Sequence, residues 1–325
     1  MHPRAIVFAI KQSTERVGKS ISDFAWAPAS PAPLAAFRIG VCCVLLVQAF
    51  SLAPSIRDLY GEHALIQPSL ASYLGDPLLP KMSFLTRTFT KIGLSEWQVV
   101  ISTGVAYVFA LIALLLGWQT RFAATFAWLL HMVLTNSAPC ANYGVDIFSH
   151  IALFYLVWMP AGQSWSIDAW GKQNTVGTPE TRLAIRVLQI HLCIVYLTSG
   201  IEKAMGEQWQ NGEVIWRSLM LPVYSQFDMS WISNFPTFCK FAAWGTLVVE
   251  IGYCVFIWPK RTRTFWVASI VGLHVGIGVF LGLGLFSAMM CVFTICAFGI
   301  SSNPAPAVAQ GTRPTFARLV GYAAR

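Results

Sequence analysis

The sequence predicts an all-α polytopic membrane protein, a bundle of about eight transmembrane helices of roughly 20 residues each. Three observations carry that reading. Hydrophobic residues make up 56% of the 325-residue chain and charged residues only 11%, whereas soluble domains carry about 25% charged residues. Apolar runs of spanning length recur along the chain. The 13 Trp and 9 Tyr cluster near the ends of those runs, where aromatic side chains sit at the bilayer interface.

The runs fall at 34–53, 97–117, 122–139, 146–162, 183–203, 238–258, 264–282 and 285–301. "GLGLF" (282–286) divides the last long run into a hairpin, and the glycines at 272, 276, 278, 282 and 284 leave room for close helix approach. The expected organisation is residues 1–32 as an N-terminal cytoplasmic tail or interfacial helix, 33–302 as the transmembrane domain, and 303–325 as a C-terminal tail. Residues 2–12 suit a short amphipathic helix on the membrane surface or a frayed terminus. "AIVFAI" is too short for the core of a signal peptide.

The net charge of +8 comes from basic residues standing singly at the edges of apolar runs. They read as topology signals rather than as a nucleic-acid surface. Eight spans with both termini inside place Arg4, Lys11, Arg16, Lys19, Arg121, Lys172, Arg182, "PKRTR" (259–263), Arg313, Arg318 and Arg325 on the inner side. The long loop at 54–96, with Arg57, Lys81, Arg87 and Lys91, is the exception on the outer side. The eight cysteines (42, 43, 140, 193, 239, 254, 291, 296) form no CxxC pair. Most lie in apolar runs, where a free thiol packs as a small hydrophobe. No metal-ligating constellation is expected.

Chemistry is expected where the fifth run carries polar residues in register. Gln189, Tyr196 and Lys203 are seven apart and nearly in line at 3.6 residues per turn, with Ser199 beside them. His191, Thr198 and Glu202 form a second stripe, and the two stripes converge on the adjacent Glu202 and Lys203. Glu250 and His274 lie mid-span in the sixth and seventh runs. Asn136, Asn142, Asp146 and His150 bracket the join of spans three and four. Ionisable groups at such depth cost on the order of 2.5–3.5 kcal/mol each and normally face the bundle interior.

Each of these residues has a structural reading beside the functional one. Lys203, near a helix end, can snorkel and pair with Glu202 or Glu207. His191 and His274 can tie helices together, and Glu250 can bridge to Arg38 or Arg121. On the functional side, a desolvated lysine favours its neutral amine and can serve as a base. Glu202 opposes that role unless the step of roughly 100° between neighbours turns it away.

The stretch "QIHLCIVYLTSGIEKAMGEQWQNGEVIW" (189–216) resembles the fifth-span signature of the HTTM (horizontally transferred transmembrane) family, which includes vitamin K-dependent gamma-glutamyl carboxylase. "LAAFRIG" (34–40), "LLLGWQTR" (114–121), "ANYGVD" (141–146), "WMPAGQSWSID" (158–168) and "LHVGIGVFLGLGLF" (273–286) resemble family segments in the same order. The resemblance implies quinol- and oxygen-linked membrane chemistry with Lys203 as the base that deprotonates a reduced quinone of vitamin K or menaquinone type. It suggests His274, Tyr196 and Gln189 as quinone-pocket contacts, with Glu250, Asn142, His191 and Glu202 in support. A peptide or protein substrate, the lipid bilayer as surroundings and a bacterial cytoplasmic membrane are further implications. "ANYGVD" has Tyr143 where the carboxylase has histidine, and no lumenal domain follows the last span, so peptide gamma-carboxylation itself is not expected. The alternatives are a non-enzymatic membrane subunit that assists maturation or export, and a small-molecule transporter. Against the transporter stands the lack of any hydropathy repeat between the two halves.

Overall fold

The computed structural model describes residues 15–303 apart from 17, 61–63, 65 and 173–176. The expected surface helix or tail at 2–12 and the C-terminal tail beyond 303 lie outside the described residues. Every named element is helical, and the one extended pairing among the described residues is an isolated antiparallel bridge between Ala29 and Thr178.

Eight long helices answer to the expected runs: α1 Ala32–Leu52, α2 Glu96–Leu116, α3 Thr120–Ser137, α4 Gly144–Trp158, α5 Pro179–Ala204, α6 Pro236–Phe256, α7 Lys260–Phe280 and α8 Gly284–Thr294, the last continued by a π turn, Ile295–Gly299. Five helical segments have the length and apolarity to cross a membrane: Ala32–Leu59, α2, α5, α6 and α7. α4 and α8 with its π turn are shorter apolar helices, while α3 interrupts its apolar face with His131, Thr135 and Asn136. The protein is an integral multi-pass membrane protein.

Local chemistry explains the boundaries. Ser95 and Gln98 close a capping box at the start of α2, satisfying N–H groups that have no partner inside the helix. Gly117 ends α2 in the left-handed region at φ 68°, as glycine does without steric cost. α4 stops at Trp158, sooner than the apolar run does, because Pro160 lacks an N–H and holds Met159 extended (φ −74°, ψ 145°). α5 starts earlier than its apolar run, at Pro179, where the Thr178 hydroxyl accepts from the Thr181 N–H and proline suits the first turn.

α5 lies along α6, α7 along α8, α3 along α4, and α2 beside both α1 and α3. α8 also reaches α1, α4 and α5, so the last helix sits among the others rather than at the edge. Phe37 meets Phe293 edge-on with ring centroids 5.0 Å apart, part of a core that runs through every long helix.

One end of the bundle is tied by polar contacts. Arg38 is wholly buried; its guanidinium donates to the Ala161 carbonyl at 3.2 Å and also to the carbonyl of Trp165. It therefore holds the 159–169 turn rather than bridging to Glu250. Asp168 accepts from the Gln119 N–H, the Thr120 N–H and the Thr120 hydroxyl at 2.8, 2.8 and 2.6 Å, pinning the same turn to the start of α3. Arg182 donates to the carbonyls of Ala27 and Pro28 and to Ser302.

Burial disfavours the charged form of Asp168, but the three hydrogen bonds from Thr120 and Gln119 outweigh it and hold the carboxyl below its ordinary value. The sign follows from linkage: the stabilisation is complete above the ordinary value of 3.8 and is lost as pH falls through the lowered native one. Asp168→Asn should therefore lower the melting temperature of the detergent-solubilised protein at pH 7 by about 2–4 °C. That gap between variant and wild type should close as pH falls through the lowered native value. Tryptophan fluorescence on heating at several pH values reads both effects.

Candidate functional site

The α5 stripe is built by its register. Gln189 and Tyr196 are buried and Lys203 is half-buried on the face turned to α6 and α8, while Thr198 and Glu202 are exposed. The two stripes therefore do not converge. The 100° step that separates Lys203 from Glu202 points the acid out of the bundle, and the lysine finds its partner on another helix.

That partner is Glu250. Lys203 Nζ stands 2.5 Å from Glu250 Oε1, and the Ser199 hydroxyl donates to Glu250 Oε2 at 3.4 Å. The lysine side chain is 29% exposed and the glutamate 6%, so the pair lies between the bundle interior and the end at which α5 stops. The Lys203 ammonium also lies 5.3 Å from the centre of the Trp209 ring, within cation–π range. Neither Glu202 nor Glu207 pairs with Lys203, and neither Arg38 nor Arg121 pairs with Glu250. The two ionisable groups that were expected to need separate partners serve each other.

Gly200 makes this approach feasible. A Cβ there would lie 2.7 Å from Ile251 Cγ1 and 3.2 Å from Glu250 Cβ, so a larger residue would push α6 away at the level of the ion pair.

Two turns along α5 from Lys203 a second group of polar side chains is buried. Tyr196 OH is 2.9 Å from His274 Nε2 and 3.5 Å from Thr294 Oγ1. The Tyr196 and Tyr253 rings lie 4.6 Å apart, and His274 meets Phe286 at 5.6 Å. Tyr253 OH, His274 Nδ1 and Ser287 Oγ are buried with no hydrogen-bond partner. Unsatisfied groups of this kind are costly in an apolar interior; Tyr253 and His274 flank Tyr196, while Ser287 lies against Gly278 of α7.

The remaining expected site residues stand elsewhere. Gln189 donates to the Ala297 carbonyl at 2.6 Å and accepts from Arg186 at 2.7 Å, tying α5 to the π turn after α8. His191 is half-buried and meets Tyr155 edge-on at 5.6 Å. Asn142 donates to the Thr135 carbonyl at 2.8 Å, closing the end of α3. Trp209, Tyr253, Ser287 and Phe286 were not foreseen. Tyr253 was legible, since it lies three residues after Glu250 and shares its helix face.

A cleft of about 590 Å³ lies away from this network. It is bounded by α1, α2 and α3 with the start of α4, and Asn142 is on its wall while Lys203 and Glu250 are not. Among the described residues no group of His, Cys, Asp and Glu is arranged to hold a metal ion, and all eight cysteines are free.

The family model of the HTTM domain matches residues 26–301. The chain belongs to the HTTM family. The match spans the whole helical bundle, and it accords with the carboxylase-like character of the ordered motifs. No curated protein and no solved structure matches the chain.

Breaking the Lys203–Glu250 pair from one side leaves a buried charge unpaired, which costs about 3–5 kcal/mol in protein interiors. Lys203→Met should lower stability by about 3 kcal/mol, the lower end of that range because the lysine reaches partly into solvent. Combining it with Glu250→Leu should recover most of the loss, and denaturant unfolding in mixed micelles would give both values. A single variant as stable as wild type would show that the pair contributes nothing to holding α5 on α6.

Proposed function

We propose that this HTTM protein carries out proton-transfer chemistry on a reduced, lipid-soluble quinone, with Lys203 and Glu250 as the proton-accepting pair. The observation that carries the reading is the ion pair between α5 and α6, which continues along α5 into the buried Tyr196–His274 contact. When bound, the quinol would supply the redox chemistry and the ionisable hydroxyl. Support for a ring-binding role comes from the Tyr253 hydroxyl and His274 Nδ1, which are buried beside Tyr196 without hydrogen-bond partners and are groups of the kind that ring oxygens need.

The role of the pair follows from its charges. Lys203 and Glu250 together are neutral, so they sit in the bundle more cheaply than either would alone. A proton taken from a ligand hydroxyl leaves the pair as an ammonium beside a carboxylic acid. The ligand anion is then balanced by a fixed positive charge within a low-dielectric wall. Lys203 is the point charge of this device, and Glu250 holds it in place and shares the proton. Tyr196 and His274 orient the ring, and Trp209 covers the lysine from the outer side.

The arginines and lysines at the α1–Ala161–Arg182–Arg263 end of the bundle mark the inner face under the positive-inside tendency. Lys203 then opens toward the outer face, and both termini lie inside. A bacterial cytoplasmic membrane is the setting we assign to it.

The test begins with mass spectrometry of lipids extracted from the purified protein, where a menaquinone or ubiquinone should be retained. In proteoliposomes, Lys203→Ala and Glu250→Gln should each reduce quinol turnover by about a hundredfold or more while keeping the extracted quinone. Full turnover by Lys203→Ala would remove Lys203 from the proton-accepting pair. Absence of bound quinone, with a fixed protein partner co-purifying instead, would favour a non-enzymatic subunit.

A further inference from the structure

The cleft between α1, α2, α3 and the start of α4 has features that the Lys203 network does not explain. Its volume of about 590 Å³ is in the range of small-molecule sites. Phe50, Val105 and Phe109 line it and are also exposed on the outside of the bundle. In a membrane-spanning domain that surface faces lipid, so the cleft opens sideways into the bilayer rather than into water.

The floor is polar and largely buried. Gln48 Nε2 donates to Asp146 Oδ1 at 2.7 Å, and the Tyr143 N–H donates to Asp146 Oδ2 at 2.9 Å. Both carboxyl oxygens thus accept N–H groups, the pattern of an ionised carboxylate. His131 Nε2 is 3.2 Å from the Asp146 backbone carbonyl, which can only accept, so Nε2 carries the hydrogen. Nδ1 is then the acceptor, and Tyr107 OH donates to it at 3.1 Å. The tyrosine oxygen keeps its own accepting capacity.

Charge decides what fits this floor. Among the described residues no Lys or Arg lines the cleft, and no cation stands within ion-pair distance of Asp146. A carboxylate or phosphate head would face Asp146 with nothing to neutralise it. An ammonium head offers donors only and would leave the second N–H of Gln48 facing it without an acceptor. Asp146 is already offset by the Gln48 amide and by its place as the cap of the α4 N-terminus. A hydroxyl offers one donor for the Asp146 and Tyr107 oxygens and two lone pairs for the second N–H of Gln48. We infer that the cleft is a binding site for a long-chain lipid with a neutral hydroxyl head, whose chain lies along Val105 and Phe109 and whose head rests on Gln48, Tyr107 and Asp146. The site uses none of the residues of the Lys203 network and does not depend on the quinol reading.

Photolabelling of the full chain in nanodiscs tests this. The probes are diazirine-bearing hexadecanol, hexadecylamine and palmitate with the diazirine at the same chain position. Hexadecanol should label peptides covering 48–56 and 101–112 at least about tenfold more than palmitate or hexadecylamine, a difference of about 1.4 kcal/mol in affinity. Val105→Trp, which places an indole in the lipid-facing mouth, should abolish that labelling while the circular dichroism and melting temperature stay as in wild type. Lys203→Ala should leave it intact, so that failure of this site and failure of the quinol reading are told apart. Equal labelling by palmitate, preference for the amine, labelling spread evenly over the lipid-facing surface, or labelling that survives Val105→Trp would each overturn the inference. Should Val105→Trp fail to fold, Ala49→Phe on the opposite wall serves the same purpose.

Discussion

The Lys203–Glu250 ion pair is the constraint around which one half of the bundle is arranged. Two opposite charges in an apolar interior must meet, because each alone would bear a desolvation cost that nothing nearby offsets. Meeting requires α5 and α6 to approach closely at that level, and Gly200 lets them do so. The interface of α5 with α6 thus combines extensive packing with a buried ion pair. Once α6 is fixed to α5, Tyr253 falls against Tyr196, and α7 follows with His274 on the same tyrosine.

The other half is governed by the need to satisfy backbone groups where the chain leaves the helices. Non-helical backbone at membrane depth is tolerated only where its N–H and C=O groups find partners. The 159–169 turn finds them in Arg38, which donates to two of its carbonyls, and in return its Asp168 accepts from the N–H groups that open α3. Arg38 is thus a backbone clamp. Gly117 is glycine for the same reason, since a side chain there would strike the Arg38 guanidinium as well as straining a left-handed turn.

Most of the fold was legible in the sequence because hydropathy dominates a membrane chain. The eight helices fall where the apolar runs are, and their ends move only where a proline, a cap or a glycine turn takes precedence, as at Trp158 and Thr178. The stripe of Gln189, Tyr196 and Lys203 was legible because a period of seven is a property of one helix. The partners were not. Which carboxylate meets Lys203 depends on how α5 and α6 face each other, and Glu250 is 47 residues away. The same limit explains Gln189, whose position on the stripe is as expected while its contacts go to Ala297 and Arg186. His131 is a different omission. A histidine in the middle of "WLLHMVLTN" is as conspicuous as His274 by depth, but its significance rests on Tyr107 and Asp146, which come from two other helices.

α8 separates the two polar regions and also connects them. Leu285 is on the wall of the lipid-facing cleft. Its neighbour Phe286 lies against His274 on one side and against Phe148 on the other, at ring separations of 5.6 and 6.0 Å. A Cβ on Gly144 would touch the same phenyl ring, so the start of α4 is also packed against it. One turn of α8 therefore forms a common wall between a floor made of Asp146 and Tyr107 and a network that ends at Lys203. Its position follows from the "GLGLF" break, which ends α7 at Phe280 and starts α8 at Gly284 inside the bundle rather than at its rim. The glycines of that hairpin thus act on the site by deciding where the phenylalanine stands, although none of their atoms reaches a polar group in either region.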